Sequence, residues 1–172
     1  MTAIATTARG LVDRMREVIW AVNPACDNVE SLARFLSHHT ETFTANAGLS
    51  CRLAISDPLP ALMVPAAARH HLYLVVKEAL NNVVKHASAT SVQLALEVEQ
   101  GVLSVSVSDD GTGFVVSVPS ANTNSSSIGN GLANMRQRIS DLGGVFDLTS
   151  SQGRGTRITL HIPMKSFQQQ KL

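Results

Sequence analysis

The sequence predicts an α/β domain, and three observations carry that expectation. Of the 172 residues 44% are hydrophobic, enough to build a sizeable core and too many for a disordered chain. Stretches with apolar residues at helical spacing take turns along the chain with runs in which apolar and polar residues alternate. Clusters of Gly, Pro and Asp separate these stretches, as they do between packed elements. The length suits one domain with a short appendage.

With only 4% aromatic residues, the core must be built from Val, Leu, Ile, Ala and Met. Fourteen basic residues against thirteen acidic ones leave a net charge of +1. A nucleic-acid binder, which needs clustered Lys and Arg, is therefore not expected. Cys26 and Cys51 have no metal-ligand spacing and suggest a reducing compartment. No apolar run approaches the roughly 20 residues of a membrane span, and the N-terminus lacks a signal-peptide pattern. A cytoplasmic location is expected, whether or not a longer parent is membrane-anchored.

Residues 1–23 read as a helix. Ile4, Ala8, Leu11, Met15, Val18 and Val22 recur in steps of four and three, the spacing of a seam facing a partner helix. An amphipathic helix packed on its own domain accounts for the pattern equally well. Asn23-Pro24 should end it, because the residue before proline avoids helical angles. Asp27, three residues before Glu30, has the arrangement of a capping box. It would open a helix with Leu32, Phe35, Leu36, His39 and Phe43 on one stripe and Gly48 at its end. Leu49, Cys51, Leu53 and Ile55 then alternate as a short strand, followed by a turn at Asp57-Pro58 and Pro60.

From Pro65 to about Ala87 a helix presents Leu72, Val75, Val76, Ala79, Leu80, Val83 and Val84 as one apolar stripe. Val92, Leu94, Leu96 and Val98 point inward from the next strand, and Leu103, Val105 and Val107 from the one after, with a hairpin at Glu99-Gln100-Gly101. Residues 117–127 are small and polar, the composition of a binding loop or a disordered segment. A short helix follows, burying Leu132, Met135, Ile139 and Leu142 and ending at Gly143-Gly144. Phe146 and Leu148, then Ile158, Leu160 and Ile162, supply two closing strands, and the tail from 166 is expected to be disordered.

Four pieces of this chain carry chemistry. Glu78 and Asn82, four apart, lie one above the other near the border of the apolar stripe. A carboxylate and a carboxamide oxygen at that spacing suit a hard cation such as Mg²⁺, and Lys85 and His86 follow where a phosphate could be met. An ordinary polar helix face is the blander account. Asp109-Asp110-Gly111-Thr112-Gly113-Phe114 follows a buried strand; its glycines admit close backbone approach, and a strand-end Asp can accept from an exocyclic amine, although Asp-Gly is also a common turn. Gly129-Asn130-Gly131-Leu132 opens a helix, so its N–H groups offer an anion site or merely a hinge. Gly153-Arg154-Gly155-Thr156 turns into the last strand and is equally a tight hairpin.

Together, in this order within some 80 residues, the four pieces resemble the ATP-binding domain shared by gyrase, Hsp90, histidine kinases and MutL. KEALNNVVKHA, DDGTGF, GNGLANMRQRISDLGG and GRGTRITLHIP are similar to the catalytic domain of a bacterial sensor histidine kinase, of the subfamily whose short lid lacks a phenylalanine motif. GLVDRMREVIWAVNPACDNVESLARFL is similar to the end of the dimerisation region and its connecting helix. The resemblance implies a two-layer sandwich of the Bergerat type, a mixed β-sheet with helices on one face, preceded by N-terminal helices. It divides the chain into a remnant of a dimerisation helix (1–23), a connecting helix (24–48), the ATP-binding domain (49–165) and the tail (166–172). It implies that Asp109 binds the adenine amino group with support from Thr156, and that Gly111 and Gly113 let the chain pass beside the base. Asn82 would coordinate Mg²⁺ and Glu78 would hold its water shell. Lys85, shared with His86, would meet the phosphates, which Gly129, Gly131 and Leu132 would wrap beneath a lid at 115–128.

The implied function is transfer of the γ-phosphoryl group of ATP to a histidine of the dimerisation helices, for relay to a response regulator, with homodimer formation as a further option. None of the six histidines stands in the local sequence of a phosphoacceptor, so a fragment of a longer sensor is expected, with a stand-alone ATPase domain as the other reading. An anti-sigma-factor-type serine kinase is a rival in the same superfamily, disfavoured by the IWAVNP segment. A non-catalytic partner-binding scaffold is a rival of another class, disfavoured by intact Asp109, Asn82 and glycines. The spacing after Gly129 does not match a dinucleotide fingerprint, and there is no Walker-type GxxxxGK[ST].

Overall fold

The computed structural model describes residue 20 and residues 23–116 and 130–167. Five strands form one mixed sheet: β1 (Ser50–Ile55), β2 (Ser91–Glu99), β3 (Val102–Asp109), β4 (Val145–Ser150) and β5 (Thr156–Pro163), in the spatial order β1-β2-β3-β5-β4. β1 runs parallel to β2, and the other neighbours are antiparallel. Strand alternation sets the two faces. Val92, Leu94, Leu96, Leu103, Val105, Val107, Ile158, Leu160 and Ile162 are buried on one, while Gln93, Ser104, Ser106 and Thr159 stay half-exposed on the other. Gln100 and Gly101, both at positive φ, make the two-residue turn between β2 and β3.

Three helices cover the buried face: α1 (Val29–Ala47), α2 (Ala66–Asn82) and α3 (Asn130–Asp141). α2 links the parallel pair β1 and β2, and α3 precedes β4. Leu72, Val75, Val76, Ala79 and Leu80 of α2 and Met135 and Ile139 of α3 meet the sheet's apolar residues in one core. Leu132 is half-buried at the opening of α3. The 3-10 turn Met164–Phe167 buries both Met164 and Phe167. The packed body thus includes 166 and 167, which the sequence assigned to the tail.

Three local expectations change. Asp27 does not cap α1; Asn28 does, its Oδ1 accepting from the Ser31 N–H at 2.8 Å, while Glu30 pairs with Arg34. The inner stripe of α1 runs through Leu32 and Leu36 into Thr40 and Thr44, all buried, with Phe35, His39 and Phe43 only half-buried. The two threonine hydroxyls donate to Leu36 O at 2.8 Å and Thr40 O at 2.7 Å, which makes their burial tolerable. Val84 is 51% exposed rather than on the apolar stripe, because α2 widens at its end into a π turn, Val83–Ala87. The extra residue in that turn shifts the following side chains around the axis. The helical seam expected over 1–23, Trp20 and Asn23 apart, most of the 115–128 lid, Gly129 and the tail from 168 lie outside the described residues.

Candidate functional site

The sheet's buried face and α2 do not close completely where β3 ends and β5 begins. A cavity of about 540 Å³ remains there, with α3 along its far side. Glu78 and Asn82 reach it from α2, and Lys85 and His86 from the π turn. Asp109 and Gly113 enter from the end of β3 and the turn beyond it, Thr156 from the first residue of β5, and Gly131 and Leu132 from the first turn of α3. Nine of the eleven side chains and glycines singled out in the sequence thus face one space. Gly129 is outside the described residues, and Gly111 lies beside the cavity without lining it.

Asp109 holds a defined position. Its Oδ1 accepts from the Gly111 N–H at 2.8 Å, and the Thr156 N–H also bonds to the carboxylate. Burial pushes its carboxyl above the ordinary carboxylate range. The two N–H donors work against that rise, and the neighbouring Asp110 carboxylate adds to it. It is the Thr156 backbone that supports Asp109, while the Thr156 hydroxyl lies 3.0 Å from the Ser150 hydroxyl.

The two turns flanking Asp109 are packed backbone against backbone. Gly113, at φ +59°, and Gly155, at φ +70°, leave no room for a Cβ: one at Gly113 would strike Ser151 O, and one at Gly155 would strike Asp109 O. Both conditions select glycine. Gly153 N–H donates to Thr112 O at 2.6 Å, and the Ser150 hydroxyl, accepting from Phe114 N–H at 2.9 Å, donates to Gly155 O at 3.0 Å. Gly111 instead abuts the end of the π turn, where a Cβ would meet Ala87 O. The adjacent Thr112 N–H donates to that same carbonyl at 2.7 Å. Gly111 therefore fits the end of the α2 helix to the sheet.

Several contributors escaped the sequence reading. Asp110 turns away from the cavity and accepts from Thr90 Oγ1 at 2.6 Å, Thr90 N at 2.8 Å and Ser91 N at 2.9 Å. The Thr90 hydroxyl, then the Ser91 and Thr90 N–H groups, hold its carboxyl far below the ordinary range. It ties the start of β2 to the end of β3. Ala79, Val83, Val107, Leu148 and Ile158 form the apolar wall; periodicity marks them as inward-facing but cannot tell core from cavity lining. Ser150 gave no signal, since its partners lie in two different turns.

A family model described as "Histidine kinase-, DNA gyrase B-, and HSP90-like ATPase" matches residues 67–166. Among curated relatives, the sensor histidine kinase LiaS of Bacillus subtilis is 27% identical over 152 residues, covering 88% of this chain and 39% of its own length. LnrJ of the same organism, also a sensor histidine kinase, is 33% identical over 152 residues, covering 87% and 34%. The chain thus spans well under half the length of these relatives. Among solved structures, the histidine kinase domain of the Erythrobacter litoralis EL346 blue-light activated histidine kinase is 25% identical with a TM-score of 0.62, over 78% of this chain and 61% of that one. Full-length ShkA, solved in complex with AMPPNP, shares the fold at 22% identity and a TM-score of 0.61, over 94% and 37%. With the family model spanning more than half of the chain, this protein belongs to the histidine kinase-, DNA gyrase B- and HSP90-like ATPase family, and its relatives are sensor histidine kinases.

Proposed function

We propose that the cavity binds Mg-ATP, with adenine at Asp109 and the phosphates toward Glu78, Asn82, Lys85 and the start of α3. The observation that carries this reading is that one cavity is lined both by a pinned carboxylate with an apolar wall and by a Glu/Asn pair with Lys85 and His86. The Asp109 oxygen not held by Gly111 N–H accepts the adenine amino group, and Val107, Leu148 and Ile158 supply apolar surface for the ring. Lys85 and His86 oppose phosphate charge, and the N–H groups opening α3 favour anions.

Among the described residues no group of three or more His, Cys, Asp or Glu could hold a metal. A Glu78/Asn82 oxygen pair suits Mg²⁺, which keeps several waters and is typically held by one or two protein oxygens plus substrate phosphates. When bound, Mg²⁺ neutralises charge developing on the phosphates. Asn82 would ligate it and Glu78 would hold its water shell; both side chains orient the triphosphate for in-line attack.

In a longer kinase, an imidazole nitrogen of an acceptor histidine forms the new N–P bond as the bond from the γ-phosphorus to the β–γ bridging oxygen breaks and ADP departs. Residues 1–23 would belong to the dimerisation helices, 24–48 to their connection and 49–165 to the catalytic domain. The dimerisation helices, a second copy of the kinase and a response regulator would be its partners. Calorimetric titration of ATP with and without Mg²⁺ tests the reading. Asp109→Asn is expected to weaken binding in both conditions by roughly 10- to 100-fold, the loss of a charge-assisted hydrogen bond of about 1.5–3 kcal/mol. Asn82→Ala is expected to remove only the Mg²⁺ enhancement. No heat from the folded, unmodified chain would overturn the assignment.

A further inference from the structure

Gly131 stands in the first turn of α3, where glycine is the poorest helix former short of proline. It is not among the described glycines at positive φ, so backbone conformation does not select it. The side chain facing it does. A Cβ at residue 131 would strike Glu78 Oε1, and the next nearest atoms are Glu78 Cδ at 3.4 Å and Cγ at 3.6 Å. The half-buried Glu78 carboxylate therefore rests directly on the opening turn of α3.

The contact is also a partition. A second cavity, of about 330 Å³, lies between α2 and α3, with Leu74, Lys77, Asn81, Asn134 and Arg138 in its lining. Glu78 and Gly131 are the two residues that line both this cavity and the larger one at Asp109. The opening turn of a helix favours a negative charge, a phosphate included. In the conformation described here the Glu78 carboxylate takes that place, and a phosphate brought to it meets a like charge at close range.

We propose that Glu78 is a latch on the nucleotide cavity: its carboxylate competes with the phosphates for the opening turn of α3, and nucleotide binding drives it off Gly131. Its release also opens the partition, so the two cavities join at the phosphate end only as the phosphates arrive. The proposal deepens the nucleotide reading above and rests on it. A latch of this kind divides the apparent affinity by the fraction of molecules in which it is open. One closed about three-quarters of the time weakens binding about fourfold.

Adenosine carries no phosphate and should be indifferent to the latch. Calorimetry therefore compares ATP, with Mg²⁺ left out, against adenosine on the original chain, Gly131→Ala, Glu78→Ala and the double variant. Gly131→Ala places a methyl against the far end of a flexible side chain, so it evicts the carboxylate while keeping its charge. It is expected to bind ATP about fourfold more tightly and adenosine as before. In the Glu78→Ala background the same step should change neither affinity, the non-additivity of two residues in contact. Unchanged ATP affinity in Gly131→Ala means that Glu78 acts through charge alone and overturns the latch. Weaker ATP binding in both backgrounds means that residue 131 makes room for phosphate itself, and a gain shared by adenosine means a change in the whole cavity; each overturns the latch and leaves nucleotide binding standing. No heat with either ligand from the folded original chain overturns the nucleotide reading and the latch with it.

Discussion

Two adjacent carboxylates, Asp109 and Asp110, are set to opposite purposes by their surroundings. Asp109 sits where burial disfavours its charge, so its contribution to stability is greatest below its unfolded pKa and is lost as pH rises through the raised folded value. The ionised form is thus disfavoured by the empty fold, and on the nucleotide reading proposed above it is the hydrogen bond that form accepts which offsets the cost. Asp109→Asn is therefore expected to raise the melting temperature of the nucleotide-free chain while weakening ATP binding, a split that scanning calorimetry and titration read separately. Lowering the pH through the raised Asp109 pKa should weaken ATP binding in the original chain and leave the residual binding of Asp109→Asn less affected. Asp110 behaves in the reverse sense. Its carboxyl is held far below 3.8 by three hydrogen bonds, so it stabilises the fold above the unfolded value and loses that contribution as the pH falls below it. Asp110→Asn should destabilise the chain at pH 7 and flatten the acid limb of its stability profile, measured by denaturant unfolding from pH 7 to 3. The sequence displayed both residues side by side; which of them faced the cavity was decided by Thr90 and Ser91, some twenty positions away.

At the level of elements, the site depends on two turns interlocked through glycines and on a helix that changes its winding. Gly155→Ala would force a side chain into a positive φ and against Asp109 O. Strained backbone of this kind costs on the order of 1–3 kcal/mol, and the clash adds to it. The expected outcome is a lower midpoint in urea together with weaker ATP binding, since the displaced turn carries both Thr156 and the wall beside Asp109. Helix α1 offers a contrast in which the site is not involved. Asn28→Ala should remove its cap at a cost of about 0.5–2 kcal/mol without changing ATP affinity. A capping box centred on Asp27 was a sound local inference that failed for a non-local reason: Arg69, 42 positions later and fully buried, takes the Asp27 carboxylate as an ion-pair partner. Val84 was misplaced on similar grounds. Ideal helical periodicity carried the apolar stripe through 84, whereas the π turn at Val83–Ala87 rotates it outward and brings both Lys85 and His86 to the cavity.

Across the whole molecule, the sheet and its covering helices were legible because strand alternation at Val92–Leu96, Leu103–Val107 and Ile158–Ile162 and the apolar stripe of α2 each specify one buried face. The cavity was legible in its polar residues only through the order and spacing of the four pieces, since each alone reads as a turn or an ordinary helix face, and it was hidden in its apolar wall, whose residues look like any other core. That division makes a molecule-wide prediction. A ligand that binds only the folded chain stabilises it by RT ln(1 + [L]/Kd), about 2.7 kcal/mol at one hundred times Kd. For a domain of 150–250 residues each kcal/mol moves the melting temperature by roughly 2–4 °C, so saturating Mg-ATP is expected to raise it by about 5–11 °C. On the proposed assignment, in which the wall and the Asp109 clamp act on the base and Asn82 acts on the metal, the variants should separate. Asn82→Ala should keep the shift given by ATP alone and lose the increment from Mg²⁺, and Asp109→Asn should begin from a higher melting temperature and gain little from either. Equal shifts in all three proteins at one ATP concentration would mean that nucleotide stabilises the fold from somewhere other than this cavity.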